Sequence, residues 1–409
     1  MFTVAGGTFF SQIIPLAILP ILTRLYSPEE FGTLALYIAF FSILSVVVTG
    51  RYEMAIMLPK KEKDAISLFQ ISFLFSFIFS IFFLLIILFN SESIMSFLKI
   101  NSSVAWLYFL PFSVFLAGLY QIYSYWLNRN KKFSEIAFSK IVQSSSISFG
   151  QLGMKLVSLI SNGLIFGYIV GQIINLIYLS RRVFLVRPKN FFHIDLSRLK
   201  KNLILYKRFP LISSFSSLLD RAAVQMPILL ISRFYDQASL GIFSILLRFL
   251  DSPFAVLNHS ISLVFHKKVV DLSHENSSAL TKEILQIFFT LLLFTLPFIL
   301  VVYIFGAEIF RLLLGSEWGN VGDYAFLIMI VVSYRFCVSP LSVVLGLKKT
   351  LHLGAYWQVL YFLTISLTLI LSRNLDFINF IKVFVIHEVL LYSLYLILII
   401  YGSKYKRLN

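Results

Sequence analysis

Five residues in one apolar run could carry chemistry that hydrocarbon does not tolerate. Lys140, Ser144, Ser148, Gln151 and Lys155 fall at offsets 0, 4, 8, 11 and 15. On a helix turning about 100° per residue they occupy an arc of roughly 80°. Fifteen residues at 1.5 Å each span about 22 Å, most of the thickness of a bilayer core. One face of this segment is thus polar almost from side to side, with an ammonium near each end. Turned to lipid, it would be prohibitively costly, so it faces protein or water. Two readings fit. The serines pack closely against a neighbouring helix while both lysines snorkel, or the stripe walls a hydrated cationic cavity.

The same cost applies elsewhere. A charged side chain at a helix centre costs roughly 2.5–3.5 kcal/mol on insertion scales. Seven bases nevertheless stand in apolar runs: Arg51, Lys140, Lys155, Arg221, Arg248, Arg335 and Lys382. Ser213, Ser217 and Asp220 share a helical face, and Ser214, Arg221 and Gln225 share the next. Arg248 and Asp251, three apart, can pair along one helix. These two groups read either as neutralised structural bridges or as a charged seam. Arg51 and Glu53 are followed by another apolar stretch, Met54–Leu58, and are embedded unless they mark a helix end. Lys382 sits near the start of its run and reads as snorkelling or as a path residue. His387 and Glu388 lie mid-run; they are structural groups or, with Glu53, Asp220 and Asp251, sites for ion coupling.

Inward-facing bases make a cavity for an anion, because low-dielectric walls focus a positive potential on phosphate-like groups. Neighbouring Ser, Gln, Tyr and Asn side chains suit sugar hydroxyls. No GxxxxGK[ST] loop is present, which argues against ATP hydrolysis. There is no carboxylate pair in a polar loop, no Ser/His/Asp grouping and no metal-ligand cluster, so no catalytic residue, cofactor or metal is expected. The single cysteine, Cys337, excludes an internal disulfide.

The elements that position these residues follow from composition. The chain of 409 residues is 58% hydrophobic and 13% charged, with 44 Phe, whereas a soluble domain carries about 25% charged residues. Its apolar runs reach bilayer-spanning length and do not alternate with period two, so the chain reads as an all-α multi-spanning protein rather than a barrel. Twelve helices are predicted, at about 4–22, 31–57, 65–89, 104–127, 133–159, 163–180, 209–234, 240–265, 281–305, 324–347, 353–371 and 377–401. Eight prolines fall in or at the ends of these runs, where they serve cavity formation or are tolerated kinks. No basic n-region or cleavage site precedes the first run, and no removable signal peptide is expected.

The net charge of +16 follows membrane topology rather than nucleic-acid binding. One set of alternate loops holds 23 Lys and Arg and the opposite set five, Arg24, Lys99, Arg233, Arg311 and Arg373. By the positive-inside rule both termini are cytoplasmic. Nine of the 23 lie in 181–208, a connector between an N-terminal six-helix lobe (1–180) and a C-terminal one (209–409). Its stretch Leu196–Leu205 is amphipathic and is expected to lie on anionic lipid or to dock a protein. No loop is long enough for a soluble domain. A short polar break, Arg24–Gly32, reappears 209 positions on as Arg233–Gly241, with Arg24, Tyr26 and Gly32 aligned to Arg233, Tyr235 and Gly241. A repeat at half the chain length points to two similar halves, although three identities in nine are also compatible with coincidence.

The opening Gly7…Gln12…Pro20-Ile21-Leu22-Thr23-Arg24-Leu25-Tyr26-Ser27-Pro28-Glu29-Glu30-Phe31-Gly32 resembles that of bacterial polysaccharide repeat-unit translocases, the O-antigen flippases. Arg51-Tyr52-Glu53-Met54-Ala55-Ile56 with Pro59 and Asp64-Ala65 is similar too, as is Phe209-Pro210…Asp220…Leu240-Gly241-Ile242-Phe243…Pro253. These proteins belong to the exporter superfamily that also contains multidrug/toxin extruders and the lipid II flippase. The resemblance implies two six-helix lobes around a central cavity in the bacterial inner membrane. It implies that undecaprenyl-pyrophosphate-linked oligosaccharide is flipped by alternating access for O-antigen or other surface polysaccharide. Membrane lipids, a polysaccharide polymerase and a chain-length regulator are the implied partners. One departure is the bare N-terminus, since family members usually begin with a charged stretch. A cation-coupled drug exporter of the same fold would prefer acids in its cavity, and here bases outnumber them. A membrane polymerase or ligase would carry a large outward loop, and the outward loops here are all under about 20 residues.

Overall fold

A computed structural model of the chain describes residues 2–98, 105–156, 162–187, 191–273, 277–315, 318, 321–346 and 350–404. Lys99, Lys189, Lys348, Lys349, Lys406 and Arg407 lie outside these residues, as do the expected ends of the fifth and tenth helices at 157–159 and 347. The described chain is helical almost throughout, with no strand among the described residues. Eight of its helices are long and apolar enough to cross a bilayer by length and composition. The protein is an all-α, multi-pass membrane protein, as the sequence reading expects.

By backbone proximity the chain divides into two compact units. Unit 1 comprises Met1–Leu25 and Thr33–Arg233, and unit 2 comprises Tyr26–Gly32 and Phe234–Asn409. Unit 1 thus includes the helix after the connector, which the sequence reading assigns to the second lobe. A hydrogen bond from Arg51 to Ser217 of that helix ties it there.

Unit 1 holds α1 (Phe2–Leu25), most of α2 (Pro28–Ser45), α3 (Tyr52–Ala55), α4 (Glu62–Leu98), α5 (Ala105–Arg129), α6 (Phe133–Leu156), α7 (Gly163–Leu185), α8 (Leu196–Leu205) and α9 (Ser214–Phe234). The expected helix 31–57 is interrupted. After Ser45 the chain turns, and Gly50 and Arg51 both adopt positive φ near 59° before α3 begins. A left-handed residue cannot continue a right-handed helix. Arg51 bears this conformation despite its Cβ, at about 1–2 kcal/mol.

α6 packs between α1 and α7 through small residues. A Cβ on Gly150 or Gly167 would collide with the facing backbone, so the two helix backbones touch directly, as polar helices in membranes commonly do. The connector end of the unit is closed by an apolar cluster. Phe69, Trp126 and Phe191 meet edge to face with centroids 4.8–5.7 Å apart, and Tyr52, Leu179, Val183 and Leu199 complete it. The amphipathic segment expected at Leu196–Leu205 is α8. It turns Leu199 and Asn202 inward and leaves Leu196, Lys200, Lys201, Leu203 and Leu205 exposed.

Unit 2 holds α10 (Gln237–Ser273), α11 (Ser277–Leu314), α12 (Val321–Val338), α13 (Leu351–Leu371) and α14 (Phe377–Ser403). α12 gives way to a 3-10 stretch, Ser339–Gly346. Pro340, which has no N–H to donate, lies at the start of this stretch.

Each repeated break has the same local design. Arg24 and Arg233 end their helices, where a cation suits the macrodipole. Ser27 and Asp236, 209 apart, cap the helices that follow. Ser27 Oγ accepts from Glu30 N–H at 3.4 Å while the Glu30 carboxylate accepts from Ser27 N–H at 2.9 Å, a capping box with Pro28 at the first helical position. Asp236 Oδ1 accepts from Ser239 N–H at 2.6 Å.

Candidate functional site

The candidate residues of unit 1 gather around Arg51. Its left-handed backbone aims the guanidinium across to α9, where Nη2 donates to Ser217 Oγ at 2.7 Å. Nη1 lies 3.9 Å from Glu53 Oε1, and Arg51 Nε is buried without a hydrogen-bond partner. Glu53 is buried, and its second oxygen accepts from Thr49 Oγ1. A buried carboxylate must be paired and hydrogen-bonded to persist, and Arg51 and Thr49 supply both. Arg51 and Glu53 thus lie within reach of one another, at the limit of an ion pair. One turn along α9 from Ser217, Asp220 and Arg221 are exposed.

The α6 stripe divides. Ser144, Ser148 and Gln151 are buried, and Gln151 Nε2 donates to the Leu164 carbonyl of α7 at 3.1 Å. The close approach of α6 and α7 is at Gly150 and Gly167, beside Gln151. Lys140 is half-buried and Lys155 exposed, so the charge stays at the two ends.

In unit 2 a second cluster forms around Arg335 of α12. Its Nε and Nη2 both reach Glu388 Oε2 of α14, at 2.8 and 2.7 Å. Nη2 also donates to Tyr361 Oη of α13 at 3.1 Å, and that hydroxyl donates to Glu388 Oε1 at 2.9 Å. Glu388 is 1% exposed. The guanidinium lies 5.7 Å from the Tyr392 ring centroid and 5.9 Å from that of Phe384, within cation–π range. Trp357 stacks on Tyr395 at 4.2 Å and extends this aromatic wall. Asp251 is exposed on α10 and within Coulombic reach of Arg335. His387 is buried with Nδ1 3.7 Å from Glu388 Oε1, and neither ring nitrogen has a hydrogen-bond partner.

The structure therefore joins Arg335 and Glu388, which the sequence reading places in separate roles. It also shows Tyr361, Tyr392 and Trp357, which that reading passes over. An aromatic residue in an apolar run carries no periodic signal of its own. Arg248 is half-buried on α10, one turn from Asp251. Lys382 is exposed near the start of α14 and donates to Asn379 Oδ1 at 3.3 Å, consistent with snorkelling. No group of three metal-ligating side chains occurs among the described residues.

With this geometry in hand, three comparisons with known proteins bear on the fold. The structure is similar to that of lipid II flippase MurJ in an inward closed conformation, with 16% identity and a TM-score of 0.76 over 97% of this chain and 87% of that one. It is similar to an inward-facing multidrug resistance MATE family transporter of the MOP superfamily, with 11% identity, a TM-score of 0.70, and 98% and 94% coverage. It also resembles a MOP superfamily transporter from Pyrococcus furiosus, described as having a binding pocket of reverse polarity, with 12% identity, a TM-score of 0.55, and 99% and 96% coverage. No curated protein sequence matches the chain. The family profile described as polysaccharide biosynthesis protein matches residues 21–322. That span holds both repeated breaks, the Arg51–Glu53 pair, the α6 stripe and the connector, and the chain belongs to the polysaccharide biosynthesis protein family.

Proposed function

We propose that the protein translocates undecaprenyl-pyrophosphate-linked oligosaccharide repeat units across the bacterial inner membrane by alternating access, supplying O-antigen or another surface polysaccharide. Family membership supports polysaccharide synthesis, and the fold is that of known flippases and exporters. The observation that carries the reading is Arg51. A left-handed backbone holds its guanidinium against a neutral hydroxyl of α9, with a neighbouring carboxylate only at the 3.9 Å limit. Such a group can take phosphate oxygens without first giving up a tight ion pair. Lys140, Lys155 and Arg221 add positive charge along the same unit. In this reading the pyrophosphate follows the bases, polar side chains meet the sugars, and the polyprenyl tail stays in lipid. A polysaccharide polymerase and a chain-length regulator would act on the delivered unit. Arg248, Arg335 and Lys382 are the candidate anion-binding bases of unit 2, and a proton or sodium gradient acting through Glu53, Asp220, Asp251, His387 or Glu388 supplies the drive.

Drug export is the second reading, since Glu388 within aromatic walls would suit an organic cation. That place is filled by the protein's own Arg335, which argues against it.

Lys140→Ala is the direct test. Lys140 is half-buried at one end of α6, so its loss should leave insertion intact and lower surface polysaccharide. Wild-type polysaccharide at equal membrane levels of the variant would reject a cationic path.

A further inference from the structure

Where residues 191–198 fold back onto the start of α4, they close a cavity of about 270 Å³ at the connector end of unit 1. Its polar lining is Lys63, Ser67, Gln70, His193, Asp195 and Arg198. Gln70 Nε2 donates to the carbonyls of Phe191 and His193, at 3.2 and 3.1 Å, and pins the connector backbone over the opening. Arg198 gives Nη1 to Asp64 at 3.0 Å and Nε to Asp195 at 3.3 Å. Its Nη2 is used by neither carboxylate. Ser67 is 3% exposed, and its Oγ has no hydrogen-bond partner. A buried hydroxyl left unpaired costs free energy, and its presence calls for an explanation. Lys63 and His193 stand exposed at the rim and make no ion pair among the described residues.

The donors in this cavity are an ammonium, an imidazole N–H, a guanidinium N–H and an orphaned hydroxyl. The one carboxylate, Asp195, is already occupied: Ser197 Oγ donates to it at 2.6 Å, and Arg198 through its backbone and side chain. Such a set complements a small polyoxyanion. Phe192, Ile194 and Leu196 are exposed beside it, so its mouth sits among apolar side chains suited to a bilayer interface.

We propose that this cavity is a phosphate site, separate from the translocation path, that fixes the connector to its surroundings. The phosphate is carried by an acidic phospholipid headgroup or is free inorganic phosphate. Two arms tell these apart. In nanodiscs mixing phosphatidylglycerol and phosphatidylcholine, lipids retained by the purified full chain are read by native mass spectrometry. In neutral detergent, inorganic phosphate is titrated and the unfolding temperature recorded. A lipid site retains phosphatidylglycerol selectively, and Lys63→Gln with Ser67→Ala lowers that retention about tenfold. A free-phosphate site shows thermal stabilisation by phosphate that the same variant loses. Lys131→Gln with Lys132→Gln removes two exposed charges outside the cavity and should leave either signal in place. Equal loss in both variants would mean diffuse attraction to basic surface and would overturn the proposal. So would no difference between wild type and the cavity variant in both arms.

Discussion

Gly32 and Gly241 form a reciprocal contact. A Cβ built on Gly32 would overlap the carbonyl oxygen of Gln237, and one on Gly241 would overlap that of Pro28. Gly241 lies 209 positions after Gly32, and Gln237 lies 209 after Pro28. The two breaks thus meet each other through equivalent atoms, first turn of α2 against first turn of α10. Capping by Ser27 and Asp236 starts both helices at the same register, and the glycine five residues on permits the approach. Gly32→Val or Gly241→Val would push carbonyl backbone rather than a pliable side chain. Each should destabilise by about 1–3 kcal/mol, visible as a lower unfolding temperature in detergent. Gly306→Ala, at a glycine whose Cβ would have room, should be near neutral. Equal effects at the three positions would refute the contact.

Glu388 is the partner whose loss is most costly. It is 1% exposed and shared by Arg335 and Tyr361. Glu388→Ala strands a guanidinium inside the unit and should cost about 3–5 kcal/mol. Arg335→Met with Glu388→Leu removes both charges and should recover most of that loss. A double-mutant cycle on thermal stability measures the coupling. A coupling near zero would show that the pair is held by its surroundings instead.

Arg51 separates backbone strain from charge. Arg51→Gly relieves a left-handed residue, worth about 1–2 kcal/mol, and removes the guanidinium that reaches Ser217. The variant should insert normally and yet lose surface polysaccharide. Arg51→Lys keeps a charge but cannot bind bidentately, so its polysaccharide level should fall between the two. Full activity in Arg51→Gly would remove Arg51 from the substrate path.

Asp195 makes the connector sensitive to acid. Hydrogen bonds from Ser197 and from the Arg198 N–H at the start of α8 hold its pKa at about 2, below the usual 3.8. The folded value is the lower one, so the stabilisation is fully present above the ordinary carboxylate pKa. It is lost as pH falls through about 2. A spin label at Lys201→Cys on α8 should show constant mobility from neutral pH to about 5 and rising mobility below about 4. Asp195→Ala should raise mobility at neutral pH too. A pH-independent signal in the wild type would mean that the cap does not order α8.

Much of this was legible in the chain itself, because bilayers impose one-dimensional rules. Run length marked out most of the long helices. The amphipathic α8 was legible for the same reason. The interruption before Arg51 was not. Val46–Val48 and Thr49 read as a continuing apolar run, yet the helix ends at Ser45 and the chain turns through Gly50 and Arg51 at positive φ.

The sequence alone determined which charges stand in apolar runs, since hydropathy and spacing are local properties. Tertiary structure decided which of them keep that charge available. Arg335 meets Glu388 across 53 positions, Arg51 meets Ser217 across 166, and the middle of the Lys140–Lys155 stripe closes against α7. A side chain's partner depends on how helices distant in sequence pack, and a periodic pattern gives the face of a helix without naming what lies opposite it.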